Sequence, residues 1–102
     1  MKKHVRIYRE FFDLCEDDRA ICEVCGREAV DVHHIFARGQ GGSDEHDFIE
    51  NLIGLCREHH DMYGDKKQHF DFLIDQHFAF IDWFRDDYTP TLERLEDLRL
   101  AL

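Results

Sequence analysis

The chain has 102 residues with 13 Lys plus Arg, 23 Asp plus Glu and a formal net charge of −10, which argues against a protein that holds nucleic acid through net charge alone. Its hydrophobic content of 43%, with 9 Phe against 6 Gly and 1 Pro, excludes a disordered or collagen-like chain. At this length we expect residues 1–102 to form a single domain around one core.

The N-terminus and the apolar runs predict a cytoplasmic protein with no membrane contact. No apolar run approaches the length of a membrane span, and the chain begins with charged residues instead of an apolar signal region. In that reducing compartment disulfides are disfavoured. Cys22, Cys25 and Cys56 are therefore better explained by metal ligation.

The first predicted element is an amphipathic helix. Apolar residues from Val5 to Cys15 follow helical spacing, which predicts a helical flank over residues 4–18 with Cys15 buried on its apolar face. A glycine-rich stretch, residues 39–42, breaks regular structure further along. Three short elements on either side of it are predicted from alternation and length: strands over 28–36 and 51–56, and a helix over 57–63 that ends at Gly64.

A long helix and a short helix form the predicted C-terminal flank, residues 66–102. Asp65 resembles the first residue of a capping box for a helix that extends to about Arg85, and Thr89-Pro90 is typical of a helix start. The long helix has a core stripe and a second aromatic stripe. This second stripe, which we expect to be covered by the opening helix, the tail or a partner subunit, consists of Phe72, Phe80 and Trp83.

Two cysteine-containing half-sites stand thirty-odd residues apart. Cys22-Glu-Val-Cys25 and Cys56-Arg-Glu-His59 each place two metal-binding side chains three positions apart. Together they form a Cys₃His set, which suits a tetrahedral structural Zn²⁺ ion. The alternative is that these cysteines are small side chains of the core. Zinc is favoured because it would also fix two loops that have little core of their own.

A second group of polar residues converges on the same hairpin. His33 and His34 end the first predicted strand, Asn51 opens the second, and His60 lies in the helix that follows. Adjacent histidines can divide two duties, one as a metal ligand and one as a general base near neutral pH. The alternative is a second structural site or a set of surface imidazoles.

The combination of these features resembles the HNH endonuclease family. Residues 22–64 carry a knuckle, a strand that ends in His-His, a Gly-Gly loop, an Asn-Leu pair and a second knuckle that leads into a histidine. The resemblance implies an α+β fold, with a small ββα-metal (His-Me finger) core and a Cys₃His zinc site, flanked by N-terminal and C-terminal helices. Small proteins of this kind are frequent in phages and mobile elements.

The resemblance also implies a role for each matching position. His34 is expected to be the general base, and His33 and His60 are expected to bind a catalytic divalent ion, Mg²⁺ or another such as Mn²⁺. Asn51 is expected to steady the loop and the site. The structural zinc would be held by Cys22, Cys25, Cys56 and His59. This sequence departs from the family pattern at two positions. His59 stands where the fourth zinc ligand is usually a cysteine, and Gly64 stands where bacteriocin-type members often have a further histidine. Asp31, on the strand face of His33, is either a carboxylate partner of the site or a solvated side chain.

The implied activity is metal-dependent hydrolysis of DNA phosphodiester bonds by a one-metal mechanism that leaves a 5′-phosphate. The charge of the motif opposes DNA binding, because residues 22–64 contain Arg27, Arg38 and Arg57 against nine acidic residues. Affinity could come from Arg38, from the basic patch of Lys2, Lys3, Arg6 and Arg9, or from a homodimer or larger partner bound through the aromatic-rich C-terminal helix.

The alternative function is a zinc-stabilised protein-interaction module that retains the motif without nuclease activity. His4, His46, His69 and His77 match no family position, and we expect them to face solvent or to be hydrogen-bonded in the core.

Overall fold

The computed structural model describes residues 1–37 and 44–102, so the predicted glycine-rich loop and Arg38 lie outside the described residues. The fold is α+β, as predicted. Its helices and strands, in chain order, are α1 (Lys3–Phe11), β1 (Asp31–His34), β2 (Leu52–Leu55), α2 (Arg57–Tyr63), α3 (Phe70–Phe84) and α4 (Glu93–Leu100). Short 3₁₀ turns occur at Asp44–His46, Ile49–Asn51 and Lys67–His69.

The two strands form an antiparallel ribbon at the centre of the described structure. His33 pairs with Ile53 and His34 pairs with Leu52. All four residues of β2 are buried, because elements pack on both of its faces. Successive side chains in a strand point to opposite faces, so His33 and His34 leave β1 in opposite directions. The ribbon thus supplies two different polar positions from one dipeptide.

Apolar side chains pack on both sides of this ribbon. One cluster joins the strands to α3 and α4, and includes Ile53, Leu73 and Leu95. The other joins them to α1 and α3, and includes Tyr8 and Ile81. The long helix therefore contributes to both clusters. Its predicted core stripe is confirmed, since the buried positions include Phe70, Leu73, Ile74 and Ile81, while Phe78 is half-buried against the first cluster.

The first helix is shorter than the predicted flank over residues 4–18. It ends at Phe11, and Asp13 has a φ of 54°, a left-handed conformation that turns the chain away from the helix axis. The guanidinium of Arg9 then donates hydrogen bonds to the carbonyl oxygens of Cys15 and Asp18, which holds the turn in place. The expectation that Cys15 is buried on the helix is therefore wrong, because Cys15 lies beyond the helix and is exposed.

The C-terminal flank also differs from its prediction at its starting points. Asp65 has a φ of 59°, whereas a residue that caps a helix N-terminus is extended, so no capping box forms there. The long helix begins at Phe70, after the 3₁₀ turn Lys67–His69. The last helix begins at Glu93 instead of Thr89-Pro90, and the chain before it is held by a hydrogen bond of 2.7 Å from Tyr88 to Glu50.

The second aromatic stripe of α3 is covered in part within the chain. The ring of Phe80 contacts Phe12 of α1 at a centroid distance of 5.3 Å, and Phe72 contacts Tyr63 of α2 at 4.7 Å. Trp83 keeps 76% of its surface exposed. None of the described helices is both long and apolar enough to cross a membrane.

Candidate metal centres and catalytic cleft

The Cys₃His cluster is assembled from a tight turn and a helix N-terminus. Gly26 has a φ of 79°, which a glycine adopts without steric cost, and its backbone N–H donates to the carbonyl of Cys22. Cys56 precedes α2, where its sulfur accepts a hydrogen bond from the backbone N–H of His59. The two half-sites identified in the sequence therefore face each other across the end of the ribbon.

Three of the separations between the donor atoms match those of a tetrahedral zinc site, and all four atoms lie within 4.8 Å of one another. A Zn²⁺ ion bound at about 2.3 Å by sulfur and about 2.0 Å by nitrogen sets sulfur pairs about 3.8 Å apart and sulfur–nitrogen pairs about 3.5 Å apart. Cys25 Sγ lies 3.8 Å from Cys56 Sγ. His59 Nδ1 lies 3.5 Å from Cys22 Sγ and 3.3 Å from Cys56 Sγ. The donor set can therefore hold zinc with little rearrangement.

Arg27 supports the ionised form of one ligand. Its Nε donates to Cys25 Sγ at 3.3 Å, and this hydrogen bond is the main reason that the pKa of the exposed Cys25 falls to about 6. Burial has the opposite effect on Cys22, whose pKa is raised. Cys25 is therefore the ligand that is a thiolate at neutral pH before a metal ion binds.

A polar cleft of about 240 Å³ borders β1, and none of the four Cys₃His residues is among its lining residues. It is formed by α1, β1, α2 and the turn after α2. Its walls include the side chains of His4, Asp31, His33, His34, His60 and Asp65. The cleft therefore contains the three histidines that the sequence identified as site residues. It also contains Asp31, whose role the sequence left open, and two residues to which the sequence gave no role in the site, His4 and Asp65.

Asp31, His33 and His60 form a group that can hold a metal ion, with ligand atoms within 4.8 Å of one another. His60 Nε2 lies 3.5 Å from Asp31 Oδ2, and the rings of His33 and His60 are 4.8 Å apart. The buried His33 Nε2 makes no hydrogen bond within the described part of the chain. Burial also lowers the pKa of His33, which favours the neutral form that a metal ligand requires. The donors therefore fit a divalent ion.

Gly64 explains why the further histidine of bacteriocin-type members has no counterpart here. A Cβ atom at this position would lie 2.5 Å from the carbonyl oxygen of His60 and 3.4 Å from Cε1 of His33. The chain therefore passes too close to the His60 carbonyl for a side chain, while the His33 ring would only be in van der Waals contact with it. The next residue, Asp65, instead places a carboxylate oxygen 4.0 Å from His33 Nε2.

His34 has a buried carboxylate partner, Asp47. Its Nε2 lies 2.7 Å from Oδ1 of Asp47, whose side chain is 1% exposed. Its ring also packs against the ring of His4, at a centroid distance of 4.4 Å. A carboxylate at Nε2 favours the tautomer that carries its proton on Nε2. The lone pair of Nδ1 then remains to accept a proton.

Asn51 is fully buried and ties together the two ends of the segment that separates the strands. Its Oδ1 accepts a hydrogen bond from the backbone N–H of Phe36, and its Nδ2 donates to the carbonyls of Phe36 and His46. The backbone carbonyl of Asn51 accepts from Ile35. These bonds reach no member of the metal-binding group, and they join Phe36 to His46.

Sequence reasoning missed His4, Asp47 and Asp65. His4 was expected to face solvent or to be bonded in the core, and it is buried against His34 at the edge of the cleft. Helical periodicity carries a signal for its burial, because His4 and Tyr8 lie one turn apart on the same face of α1. Asp47 and Asp65 follow no periodic pattern that would have identified them.

Part of the chain is similar to known proteins. The family model of the HNH endonucleases matches residues 22–66, so this stretch is similar to that family. Among curated proteins, the uncharacterized protein YdfU of Escherichia coli (strain K12) is 36% identical over an alignment of 74 residues. That alignment covers 60% of this chain and 19% of YdfU, so the chain spans about a fifth of that relative. No solved structure matches at a comparable level of significance.

Proposed function

We propose that the protein is a metal-dependent endonuclease that hydrolyses phosphodiester bonds in DNA. The observation that carries this proposal is the position of His34, which shares one cleft with the group formed by Asp31, His33 and His60. A base next to three possible ligands of one ion is the arrangement that metal-assisted hydrolysis requires. The similarity of residues 22–66 to the HNH endonuclease family supports the same reaction class.

In this proposal His34 is the general base. Its Nε2–H donates to Asp47 at 2.7 Å, and its Nδ1 accepts the proton of the attacking water. The Asp47 carboxylate stabilises the imidazolium that forms and holds the ring in one orientation. Asn51 acts as a positioning residue, because its hydrogen bonds fix the chain on both sides of the cleft wall.

The metal-binding residues are His33, His60 and, as a third ligand, Asp31. The neutral His33 imidazole and the carboxylate of Asp31 are donors that Mg²⁺ or Mn²⁺ accepts. A divalent ion bound there supplies electrostatic stabilisation of the charge that develops at the phosphate in a one-metal mechanism. Asp65 places a carboxylate oxygen 4.0 Å from His33 Nε2, so its negative charge also favours a cation beside this nitrogen.

The Cys₃His site is proposed to hold structural zinc and to take no part in the reaction. All four of its donors are occupied by one tetrahedral ion, which leaves no position for a substrate. Its contribution is to join the knuckle to the start of α2, and α2 presents His60 to the cleft. Thiolate ligands persist in a reducing compartment, so we place the protein in the cytoplasm.

DNA affinity needs further positive charge, because few cations near the cleft remain available among residues 1–37 and 44–102. Arg9 is bound to backbone carbonyls, and Lys3 lies 3.2 Å from Asp44. Lys2, just before α1, and Arg6, on α1, are exposed. We propose that these two residues contact phosphates and that a second subunit or a larger protein partner, bound at the exposed Trp83, adds the remaining affinity.

A protein-interaction module stabilised by zinc is the second candidate function. The net charge of −10 and the exposed Trp83 favour it. This alternative does not explain why a buried carboxylate contacts His34. It also does not explain why the buried Nε2 atom of His33 makes no hydrogen bond within the described part of the chain. The two candidates differ in one measurable property, the cleavage of DNA.

The test is nicking of supercoiled plasmid at low salt by the zinc-loaded protein with Mg²⁺ or Mn²⁺. We expect cleavage that stops with removal of the added ion and that falls by about 10²-fold to 10⁴-fold in the His34→Ala variant. Asp75→Ala, at an exposed position on α3, is the matched control and should cleave as the parent does. A folded, zinc-loaded parent with no cleavage would leave the interaction module as the better explanation.

A further inference from the structure

We propose that His4, His34 and Asp47 form a second site for a divalent ion of the Zn²⁺ class, separate from the group of Asp31, His33 and His60. The ligand atoms of these three residues lie within 4.8 Å of one another. Two imidazoles and one carboxylate, with a fourth position left to water, are the donor set of open zinc sites.

Three separate elements bring these donors together. His4 comes from α1, His34 from the end of β1 and Asp47 from the segment just before β2. His4 and Asp47 are buried, and the side chain of His34 is 12% exposed at the cleft. An ion that enters from the cleft, which His4 and His34 line, would meet these two imidazoles and the buried carboxylate that His34 contacts.

The present geometry is close to what such an ion needs. Two nitrogen or oxygen donors at about 2.0–2.1 Å from zinc in a tetrahedral site lie about 3.4 Å apart. His34 Nε2 and Asp47 Oδ1 are now 2.7 Å apart, joined by a hydrogen bond. The rings of His4 and His34 have centroids 4.4 Å apart and planes inclined by 44°. Binding therefore requires this pair of atoms to separate by less than an ångström and the donor of His4, which lies within 4.8 Å of both, to take up a similar separation.

The two ion sites share no ligand. His33 and His34 both line the cleft, but each belongs to a different group of possible ligands. His33 joins Asp31 from the same strand and His60 from α2, whereas His34 joins α1. One dipeptide thus separates the two sites, and variants can remove them one at a time.

Occupation of the second site would change the chemistry of His34, and this consequence rests on the proposed nuclease function. An ion on Nε2 takes the place of the proton that Nε2 now shares with Asp47. The proton of the neutral ring then resides on Nδ1, which can donate but can no longer accept. Excess zinc would therefore switch off the general base, while the Cys₃His zinc stays in place.

The experiment measures zinc binding without reference to activity. Protein with one zinc in the Cys₃His site is titrated with Zn²⁺ by calorimetry, and we expect two further ions in the parent. His60→Ala should lose one of them. His60→Ala combined with His4→Phe, which keeps an aromatic ring against His34, should lose both. Circular dichroism checks that each variant is folded. An unchanged count after His4→Phe, or only one further ion in the parent, would overturn the second site.

A measurement on the parent covers the case in which His4→Phe does not fold. Ring nitrogen signals of labelled histidine report metal ligation directly. Zn²⁺ should shift the signals of His4 and His34 at the same stoichiometric step, and a shift of His34 without His4 would contradict the proposal.

Activity then tests the consequence alone. If the parent nicks plasmid, His4→Phe should raise the Zn²⁺ concentration that inhibits nicking by about tenfold or more, as loss of one ligand weakens a metal site. Inhibition that is the same in both proteins would refute the switch. If the parent does not nick, the nuclease proposal fails while the zinc count still decides the site.

Discussion

His77 and Glu23 are joined by a hydrogen bond between side chains that are both 0% exposed, with His77 Nδ1 2.7 Å from Glu23 Oε1. His77 Nε2 donates to the carbonyl of Ile49 at 2.7 Å. The other oxygen of Glu23 accepts from Tyr8 Oη and from the backbone N–H of Gly54. The pair therefore joins α3, the knuckle, α1 and β2 in one buried network, and burial together with Glu23 raises the pKa of Tyr8.

Loss of one member of this pair should be strongly destabilising. His77→Ala leaves Glu23 buried without its main partner, and we expect the free energy of unfolding to fall by about 3–5 kcal/mol. Asp75→Ala, at an exposed position on the same helix, should change it by no more than about 0.5 kcal/mol. Urea unfolding of both variants with zinc bound provides the comparison. Equal stabilities would show that the network contributes little.

The sequence predicts the elements of this fold better than their ends. The stripe of apolar residues on α3 is confirmed, because period 3.6 directly reports which face is buried. The end of α1 was missed, since it depends on the left-handed conformation of Asp13 and on hydrogen bonds from Arg9. Neither the backbone conformation of Asp13 nor the hydrogen bonds of Arg9 changes the hydropathy pattern of the sequence. Asp65 was assigned to a capping box for the same reason, although its backbone is left-handed.

The candidate site was also predicted only in part from the sequence. Spacing alone predicted the Cys₃His group, whose members meet as expected. His34 and Asp47 are 13 positions apart, and only the path of the intervening chain makes them neighbours. Buried polar partners such as Glu23 and His77, which are 54 positions apart, likewise cannot be predicted from the periodicity of the sequence. Long-range pairing is thus the part that a single sequence does not supply.

Arg27 should make zinc retention less sensitive to acid. The pKa of Cys25 is lowered to about 6, first of all by its hydrogen bond with Arg27. A thiolate with a lowered pKa contributes fully above the pKa of a free thiol, about 8.5, and loses that contribution as the pH falls to about 6. Arg27→Ala raises the pKa, so protons should displace zinc at a higher pH and zinc affinity near neutral pH should fall about tenfold.

A chromophoric chelator that reports zinc release against pH measures this shift. Arg57→Ala is the control, because Arg57 lies 3.5 Å from Asp61 and forms no contact with the sulfur atoms. A release curve of Arg27→Ala that overlays the parent curve would contradict the role given to the guanidinium.

Gly64→Ala should damage the ion-binding group and leave the zinc cluster intact. The added Cβ would lie 2.5 Å from the carbonyl oxygen of His60, so the turn after α2 must move and His60 with it. We expect affinity for Mn²⁺ to fall by about 10-fold to 100-fold while one zinc per chain is retained. Met62→Ala, at an exposed position in the preceding turn, should leave Mn²⁺ affinity unchanged. Calorimetric titration with Mn²⁺ and elemental analysis for zinc measure the two effects.

Trp83 should determine the oligomeric state if a second copy covers the aromatic face of α3. The side chain borders an apolar groove of about 220 Å³ together with Phe12 and Phe80. We expect a dimeric mass by light scattering at tens of micromolar protein, and a monomeric mass for Trp83→Lys, which places a charge at the interface. Leu92→Lys, at an exposed position outside the groove, should remain dimeric. A monomeric parent would assign Trp83 to a different partner or to none.

The zinc cluster should be essential for folding. Cys25→Ser removes a thiolate from the Cys₃His group, and in a domain this small the energy of metal ligation is also folding energy. We expect the variant to unfold or aggregate and to purify with less than one zinc per chain. Cys15→Ser, which changes an exposed cysteine outside the cluster, should keep the fold and the zinc. Circular dichroism and elemental analysis distinguish the two outcomes.

The general base and the metal ligand should fail in different ways. His34→Ala and Asp47→Asn leave the Cys₃His zinc untouched, so both should stay folded, and the loss of the base should cost about 10²-fold to 10⁴-fold in the rate of plasmid nicking. Asp47→Asn keeps a hydrogen-bond acceptor at Nε2 but removes the charge that stabilises the imidazolium, so its rate should lie between the parent and His34→Ala.

His60→Ala should instead weaken the binding of the catalytic ion. A higher concentration of Mg²⁺ or Mn²⁺ should therefore restore part of its activity, whereas added ion should not restore the activity of His34→Ala. If His34→Ala cleaves as fast as the parent, or if His60→Ala loses the structural zinc while His59→Ala keeps it, the assignment of these histidines is wrong.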